Sequence, residues 1–319
     1  DKKVMGIPQG ILVPVLAVLA VPIIAFLLSS YKSIATEGMF AGQNVVNVLF
    51  TCIGIAVLAY LAYIMYKATL DERKKLFVAV LLTFFMTIFW GFHELSGSVI
   101  TLFAARNIDL EGIMSAAQTN SLNSMFIIIL AIPISMMWTW LTKRNSNPRT
   151  PYKFGLGLLF AGISFYVLAM SGASANDSGL VPFAYLLLMY FLLSVGELFM
   201  SPVGLSKMTD LAPMRFIAFI MGVWFSANFY GHFFAGKIAK LTTVREGEVG
   251  VFSKGFFGII SETITGVSGT VIHRDNSEAF QQLYSYVSVF TSFGVMAMGI
   301  GVLCILISPV IKNLMGGVE

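Results

Sequence analysis

Eight long apolar runs, separated by polar connections, dominate the sequence. They cover residues 11–30, 45–67, 76–105, 121–142, 152–171, 180–206, 214–240 and 284–311. A helix needs about 20 mostly apolar residues to cross a bilayer, and each run is close to that length or longer. The pattern therefore predicts an all-α integral membrane protein with about eight transmembrane helices.

The connection between the last two runs, residues 242–283, is much longer than the others. It alternates polar and β-branched residues between glycines, as in Thr265 to Ile272. This pattern predicts a small β-hairpin or an ordered loop outside the membrane. Two interpretations stay open for this extramembrane loop, namely a simple cap on the helices and a binding module.

Composition supports a membrane protein and disfavours several other classes. Hydrophobic residues make up 57% of the chain and charged residues 11%, whereas soluble domains carry about 25% charge. The sequence has no phosphate-binding glycine loop, no metal-ligand cluster and no Ser-His-Asp set, so we expect neither an enzyme nor a cofactor. Cys52 and Cys304 lie within apolar runs, which predicts small buried side chains. The basic residues lie in short loops, which disfavours nucleic-acid binding.

Basic residues near the span ends favour one orientation. Most of them fall on the side of the N-terminus, and the long connection on the other side holds further basic residues among acidic neighbours. Because cytoplasmic loops are enriched in Lys and Arg, we expect the N-terminal side to be cytoplasmic. The chain begins with Asp1, and we expect it to be part of a longer or processed protein.

A polar stripe crosses the sixth run. Tyr190, Ser194, Glu197 and Ser201 are four, three and four residues apart, so they share one face of a helix. An ionisable residue at membrane depth is costly and marks a functional site by default. The stripe therefore predicts that Glu197 faces a cavity or a partner charge.

Other spans carry polar or aromatic residues with two interpretations each. Glu94, which shares a face with Trp90, is either a proton-carrying acid or part of a structural ion pair. His93 is rotated about 100° from Glu94 on an ideal helix, and a core histidine bonded to backbone is favoured over a proton relay. Asn123 is either a helix cap or an amide that contacts a ligand.

Trp224 shares a face with Asn228 in the seventh span. Six glycines of the last two spans predict close helix packing, namely Gly222, Gly231, Gly236, Gly294, Gly299 and Gly301.

Several of these motifs, in their order, resemble the proton-dependent oligopeptide transporters of the major facilitator superfamily. The motifs are SVGELFMSPVGLS at 194–206, LAP at 211–213, MGVWF at 221–225, FW…E at 89–94 and SLN at 121–123. The resemblance implies that residues 1–70 are the helix pair that bacterial members insert between two six-helix bundles. It also implies that residues 71–319 are the C-terminal six-helix bundle.

The resemblance also implies roles for individual residues. Glu197 is similar to the glutamate that receives the peptide amino terminus, and Asn123 to an asparagine near it. Trp90, Trp224 and Phe225 resemble aromatic residues of the peptide cavity, and Ser201 belongs to the same substrate-binding motif. Glu94 resembles the acid that couples proton to substrate, with His93 beside it. His93, Leu95 and Ser124 depart from the family pattern.

These observations lead to one principal hypothesis and one alternative. The principal hypothesis is a C-terminal half of a proton-coupled symporter for di- and tripeptides, multi-pass in a bacterial cytoplasmic (inner) membrane, with the proton as coupling ion. Its expected partners are a small peptide, the lipid bilayer and an N-terminal six-helix bundle absent from this sequence. Through its polar cavity face, the chain alone could also form a dimer. The alternative is a non-transporting scaffold or receptor that retains only the fold.

Overall fold

The computed structural model describes residues 3–4, 7–8, 15, 18–19, 21–22, 45–242 and 278–316. The β-hairpin predicted within 242–283 falls almost entirely outside the described residues and stays a prediction. Most of the first apolar run is also outside them. The residues described in that run are all helical, namely Val15, Val18, Leu19, Val21 and Pro22.

The chain divides into two compact units, Asp1–Lys67 and Ala68–Glu319. In the first unit, strand β1 (Lys3–Val4) pairs antiparallel with strand β2 (Ile7–Pro8). Helix α1 (Val45–Lys67) follows and coincides with the second apolar run. The assignment of residues 1–70 to an inserted helix pair stays a prediction.

The second unit contains seven α-helices among its described residues. They are α2 (Leu70–His93), α3 (Val99–Asn107), α4 (Ser121–Lys143), α5 (Thr150–Ser171), α6 (Phe183–Leu211), α7 (Ile217–Thr242) and α8 (Glu278–Leu314). Short 3-10 turns cover Glu94–Gly97, Ala116–Asn120, Gly172–Ser174 and Met214–Phe216.

In the part of this unit that the structure describes, six segments are long and apolar enough to cross a membrane, judged by length and composition. They are Leu70–Asn107, Ala116–Lys143, Thr150–Ser174, Phe183–Leu211, Met214–Gly236 and Gln282–Leu314. The all-α membrane fold is thereby confirmed, whereas the total of eight spans stays a prediction. The first of these segments is interrupted, because α2 ends at His93 and the turn Glu94–Gly97 separates it from α3.

Helix α5 packs between α6 and α8, and α2 packs against α6 and α7. Helix α4 packs mainly against α6, and Leu122 is its one buried residue. The contact between α5 and α8 depends on glycine, since a Cβ on Gly294 would lie 3.0 Å from the Gly162 carbonyl oxygen. Without side chains at such positions, two helix backbones can approach closely.

The glycine prediction is confirmed at three positions, and at the other three it stays a prediction. Close approaches occur at Gly231, Gly294 and Gly301, where an added Cβ would meet a neighbouring helix. A Cβ on Gly222, Gly236 or Gly299 would have no heavy atom within 4 Å among the described residues. Sequence alone marks these residues as small but does not tell which side of the helix meets a neighbour.

Polar contacts tie the helices together at the two ends of the second unit. At one end, Thr69 caps α2 in a reciprocal capping box with Glu72, and Arg215 donates to the same Glu72 carboxylate at 2.8 Å. At the other end, the Val181 amide donates to the Asn107 carbonyl at 2.8 Å. The Asn107 side chain also donates to the Gly179 carbonyl, at 3.2 Å. These contacts place the ends of α2 and α7 together, and those of α3 and the α5–α6 connection together.

Candidate functional site

Glu197 lies where α2, α4 and α6 meet, with 18% of its side chain exposed. Its Oε2 atom accepts a hydrogen bond from Asn123 Nδ2 at 3.1 Å. The same oxygen is 3.1 Å from His93 Nε2. A protonated imidazole nitrogen donates to a carboxylate oxygen at this distance, whereas an ionised carboxylate can only accept. With His93 protonated at Nε2, Glu197 has a donor from each of the two neighbouring helices.

The polar stripe of α6 faces the beginning of α4. Ser194 Oγ donates to Asn123 Oδ1 at 2.6 Å, and the Tyr190 hydroxyl donates to Asn120 Oδ1 at 3.1 Å. The Ser194 bond fixes the Asn123 amide so that its nitrogen points at Glu197. The structure thus brings together three members of the stripe, Tyr190, Ser194 and Glu197, on one contact between helices.

Asn123 does not cap its helix. It lies in the first turn of α4, where the N-cap position is Asn120, and Asn120 makes no side-chain cap hydrogen bond. Both polar ends of the Asn123 amide are bonded to α6, to Ser194 and Glu197. The cap interpretation is therefore wrong, and Asn123 positions the Glu197 carboxylate.

His93 stands between two acids. Its Nε2 faces Glu197 at 3.1 Å, and its Nδ1 is 3.8 Å from Glu94 Oε1. The residue is buried, and Nδ1 has no hydrogen-bond partner among the described residues. The expectation of a core histidine bonded to backbone is wrong, because side chains from other helices approach its Nε2.

His232 completes the cluster, and sequence reasoning assigned it no role. His232 Nδ1, from α7, is 3.0 Å from Glu94 Oε2. The contact is possible because the adjacent Gly231 lets α7 approach α2, where a Cβ on Gly231 would lie 2.9 Å from the Trp90 carbonyl carbon. The sequence feature that could have identified His232 is a histidine beside a glycine inside an apolar span. Glu197, His93, Glu94 and His232 thus form a chain of alternating carboxylates and imidazoles, which we call the acid–histidine chain.

The aromatic candidates separate into two groups. Trp90 borders the acid–histidine chain, with its ring centroid 4.9 Å from that of His93. Trp224 is buried and packs with its ring centroid 6.2 Å from that of Phe154. Phe225 is 61% exposed, and Ser201 is partly buried one turn after Glu197. The substrate-binding roles predicted for Trp224, Phe225 and Ser201 stay predictions.

A separate apolar groove of about 500 Å³ lies between α2 and α7. Its lining consists of Phe84, Thr87, Ile88, Gly91, Phe92, Tyr230, Phe234 and Ile238. None of the predicted site residues lines it. Among the described residues no group of three or more His, Cys, Asp or Glu is placed to hold a metal ion.

The sequence is similar to those of known bacterial transporters. It is 34% identical over 196 residues to a "Di-/tripeptide transporter" of Lactococcus lactis subsp. lactis (strain IL1403), covering 58% of this chain and 39% of that protein. It is 29% identical over 276 residues to the "Uncharacterized transporter YclF" of Bacillus subtilis (strain 168), covering 85% and 48%. The chain thus spans less than half the length of either relative.

The fold is similar to that of a solved membrane transporter. A crystal structure of a peptide transporter POT in complex with sulfate matches with a TM-score of 0.70 and 27% identity, covering 98% of this chain and 56% of that one. The profile of the POT family, PTR2, matches residues 43–254. This match covers most of the described helices and includes the whole acid–histidine chain. The protein therefore belongs to the POT family of transporters.

Proposed function

We propose that the protein carries di- and tripeptides across the bacterial cytoplasmic membrane together with protons, and that Glu197 binds the amino terminus of the peptide. The observation that carries the proposal is the position of Glu197, a mostly buried carboxylate held by Asn123 and facing His93. A carboxylate at this depth needs a cation. A peptide ammonium would meet that need through charge-assisted hydrogen bonds.

The remaining parts of the proposed transporter follow from the resemblance and from the lengths of the relatives. The peptide carboxylate would be bound by a second six-helix bundle, from residues outside this sequence. Glu94 would carry the coupling proton, because it lies in the break of the first segment of the second unit and contacts His232. The similarity to a di-/tripeptide transporter supports these substrates over a non-transporting scaffold.

The test is uptake and binding of a labelled dipeptide by the complete gene product in liposomes. Glu197→Gln keeps the side-chain volume but removes the charge. Because removing one partner of a buried charge pair costs about 2 kcal/mol or more, we expect roughly 30-fold weaker dipeptide binding. The matched control is Glu111→Gln, in the exposed connection between α3 and α4, which should bind like the wild type.

A second ligand tests whether the amino terminus is the group that Glu197 recognises. We expect the wild type to bind an N-acetylated dipeptide far more weakly than the free dipeptide, and Glu197→Gln to lose this preference. Equal binding of both ligands by the wild type would contradict the assignment. Absence of gradient-driven uptake by the wild type would support the scaffold alternative instead.

A further inference from the structure

The acid–histidine chain joins two carboxylates that the proposed function gives different tasks. Glu197 lies on α6 and would receive the substrate, whereas Glu94 follows the end of α2 and would carry the proton. His93 is the side chain between them, 3.1 Å from one and 3.8 Å from the other. The substrate-binding carboxylate and the proton-carrying carboxylate therefore both lie next to the His93 ring.

The charges around His93 favour an imidazolium in the empty site. Among the described residues, its charged neighbours are Glu94 on its own segment and Glu197 on α6, and α4 contributes the neutral amide of Asn123. From α7, His232 faces the far oxygen of Glu94. A cation between two carboxylates compensates the charge of both, whereas a neutral ring compensates neither charge.

The two contacts of His93 differ in length. The Glu197 contact is within hydrogen-bond range, but the 3.8 Å separation between Nδ1 and Glu94 exceeds the usual limit of about 3.2 Å. Nδ1 is buried without a hydrogen-bond partner among the described residues. A displacement of less than an ångström would therefore convert this approach into a hydrogen bond.

The backbone at this point is suited to such a displacement. Helix α2 ends at His93, and the next four residues form a 3-10 turn before α3 begins. A stretch of 3-10 helix within a longer helix often marks a functional hinge. Glu94 is the first residue of this turn, so its carboxylate can move relative to the His93 ring without unwinding α2.

We propose that His93 couples occupation of Glu197 by the substrate to protonation of Glu94. This inference rests on the proposed function. In the empty site the imidazolium is bonded to Glu197. An arriving peptide ammonium takes over that carboxylate and repels the like charge of His93. The Nδ1–H bond then breaks, the proton forms an O–H bond on Glu94, and His93 is left neutral with its proton on Nε2.

Asn123 Nδ2 is 3.1 Å from Glu197 Oε2 and donates to it, and it also lies 3.1 Å from His93 Nε2. While the imidazolium donates to Glu197, Asn123 supplies the carboxylate with a second donor. When the ammonium replaces the imidazolium, the Asn123 donor remains in place. His232 Nδ1 is 3.0 Å from the other oxygen of Glu94, so the oxygen nearer to His93 is the one that receives the proton.

The experiment compares two transport modes of the complete gene product in liposomes. One is exchange of labelled for unlabelled dipeptide without a proton gradient, and the other is accumulation driven by an inward proton gradient. His93→Gln keeps a side-chain donor for Glu197 but cannot accept and release a proton. We expect it to retain exchange, while its accumulation falls to the level of the wild type without a gradient.

Parallel variants make each outcome decisive. Glu94→Gln, which removes the acceptor of the same proton, should show the same pattern as His93→Gln. Accumulation by His93→Gln at the wild-type level would overturn the coupling role. Loss of exchange in His93→Gln but not in Glu94→Gln would also overturn it, because His93 would then belong to peptide binding. Loss of exchange in both variants would overturn it as well, since neither change should prevent exchange.

The Glu197→Gln variant separates this inference from the proposed function. If it binds dipeptide like the wild type, the role of Glu197 fails, whatever His93 does. If it loses binding while His93→Gln still accumulates dipeptide, then only the coupling role fails.

Discussion

Asn123 has the most constrained geometry of the residues around Glu197. Its oxygen accepts from Ser194 at 2.6 Å, and its nitrogen donates to Glu197 at 3.1 Å. A hydrogen bond to a charged group contributes more than one between neutral groups. The amide therefore stabilises the negative charge of Glu197, which burial disfavours. Ser194 in turn orients the amide.

We expect Asn123→Ala to weaken dipeptide binding by roughly 10-fold or more, because it removes a hydrogen bond to a charged group worth about 1.5–3 kcal/mol. Ser194→Ala, which removes the bond that orients the amide but keeps the amide itself, should have a smaller effect in the same direction. Equilibrium binding of a labelled dipeptide measures both. A larger loss in Ser194→Ala than in Asn123→Ala would contradict this order.

The sequence identified the residues of this site better than their contacts. Glu197 and Asn123 were both predicted, and both are found in one cluster. The contact of His93 with Glu197 was missed, because it depends on how α2 packs against α6, which no spacing within one helix contains. His232 was missed for the same reason. The burial of Trp224 against Phe154 could not be foreseen, since membrane helices are apolar on every side and residue type does not separate the core from the lipid face.

At the scale of elements, the interface between α5 and α8 depends on backbone contact. A Cβ on Gly301 would lie 2.9 Å from both the Gly155 carbonyl oxygen and the Leu159 amide nitrogen. These are backbone atoms of a packed helix and cannot rotate away. Gly299 lies two residues earlier on the same helix and is exposed, and its added Cβ would have no heavy atom of the described residues within 4 Å.

We expect opposite results from one substitution at these two positions. Gly301→Ala should destabilise the protein by about 1–3 kcal/mol, because overpacking forces the helices apart. Gly299→Ala should be neutral or stabilising by up to about 1 kcal/mol, because alanine has the higher helix propensity. Thermal unfolding of the purified protein in detergent measures both. Equal midpoints for the two variants would contradict this account of the interface.

Helix ends were harder to predict than helices. All six spans of the second unit were found as apolar runs, but α6 continues to Leu211, five residues beyond its predicted end, and α2 begins at Leu70 rather than Leu76. At α2 the charged residues after Asp71 hid a helix start that Thr69 and Glu72 specify by a capping box. Apolar length marks where a helix crosses the membrane, whereas capping hydrogen bonds decide where it begins.

At the scale of the whole molecule, the contacts at the two ends of the second unit agree with the predicted crossing of the spans. Glu72 and Arg215 are paired at one end, and Asn107 is bonded to Gly179 at the other. Helix α4 begins near the end that carries Asn107 and Gly179 and crosses to the opposite end. The connection 144–149 follows α4, so it lies at the end that carries Glu72 and Arg215. It carries Arg144 and Arg149 and lies next to Lys143. Since basic loops stay in the cytoplasm, this end should be cytoplasmic.

Single cysteines test this orientation in whole cells. Ser146 and Ser178 are both exposed and lie in connections on opposite sides, and Ser→Cys is a small change at each. The background is Cys52→Ser, because Cys52 is exposed whereas Cys304 is buried. A membrane-impermeant thiol reagent should label Ser178→Cys in intact cells, and Ser146→Cys only after the membrane is opened. The reverse pattern would place the basic connections on the outer side of the membrane and would contradict this orientation.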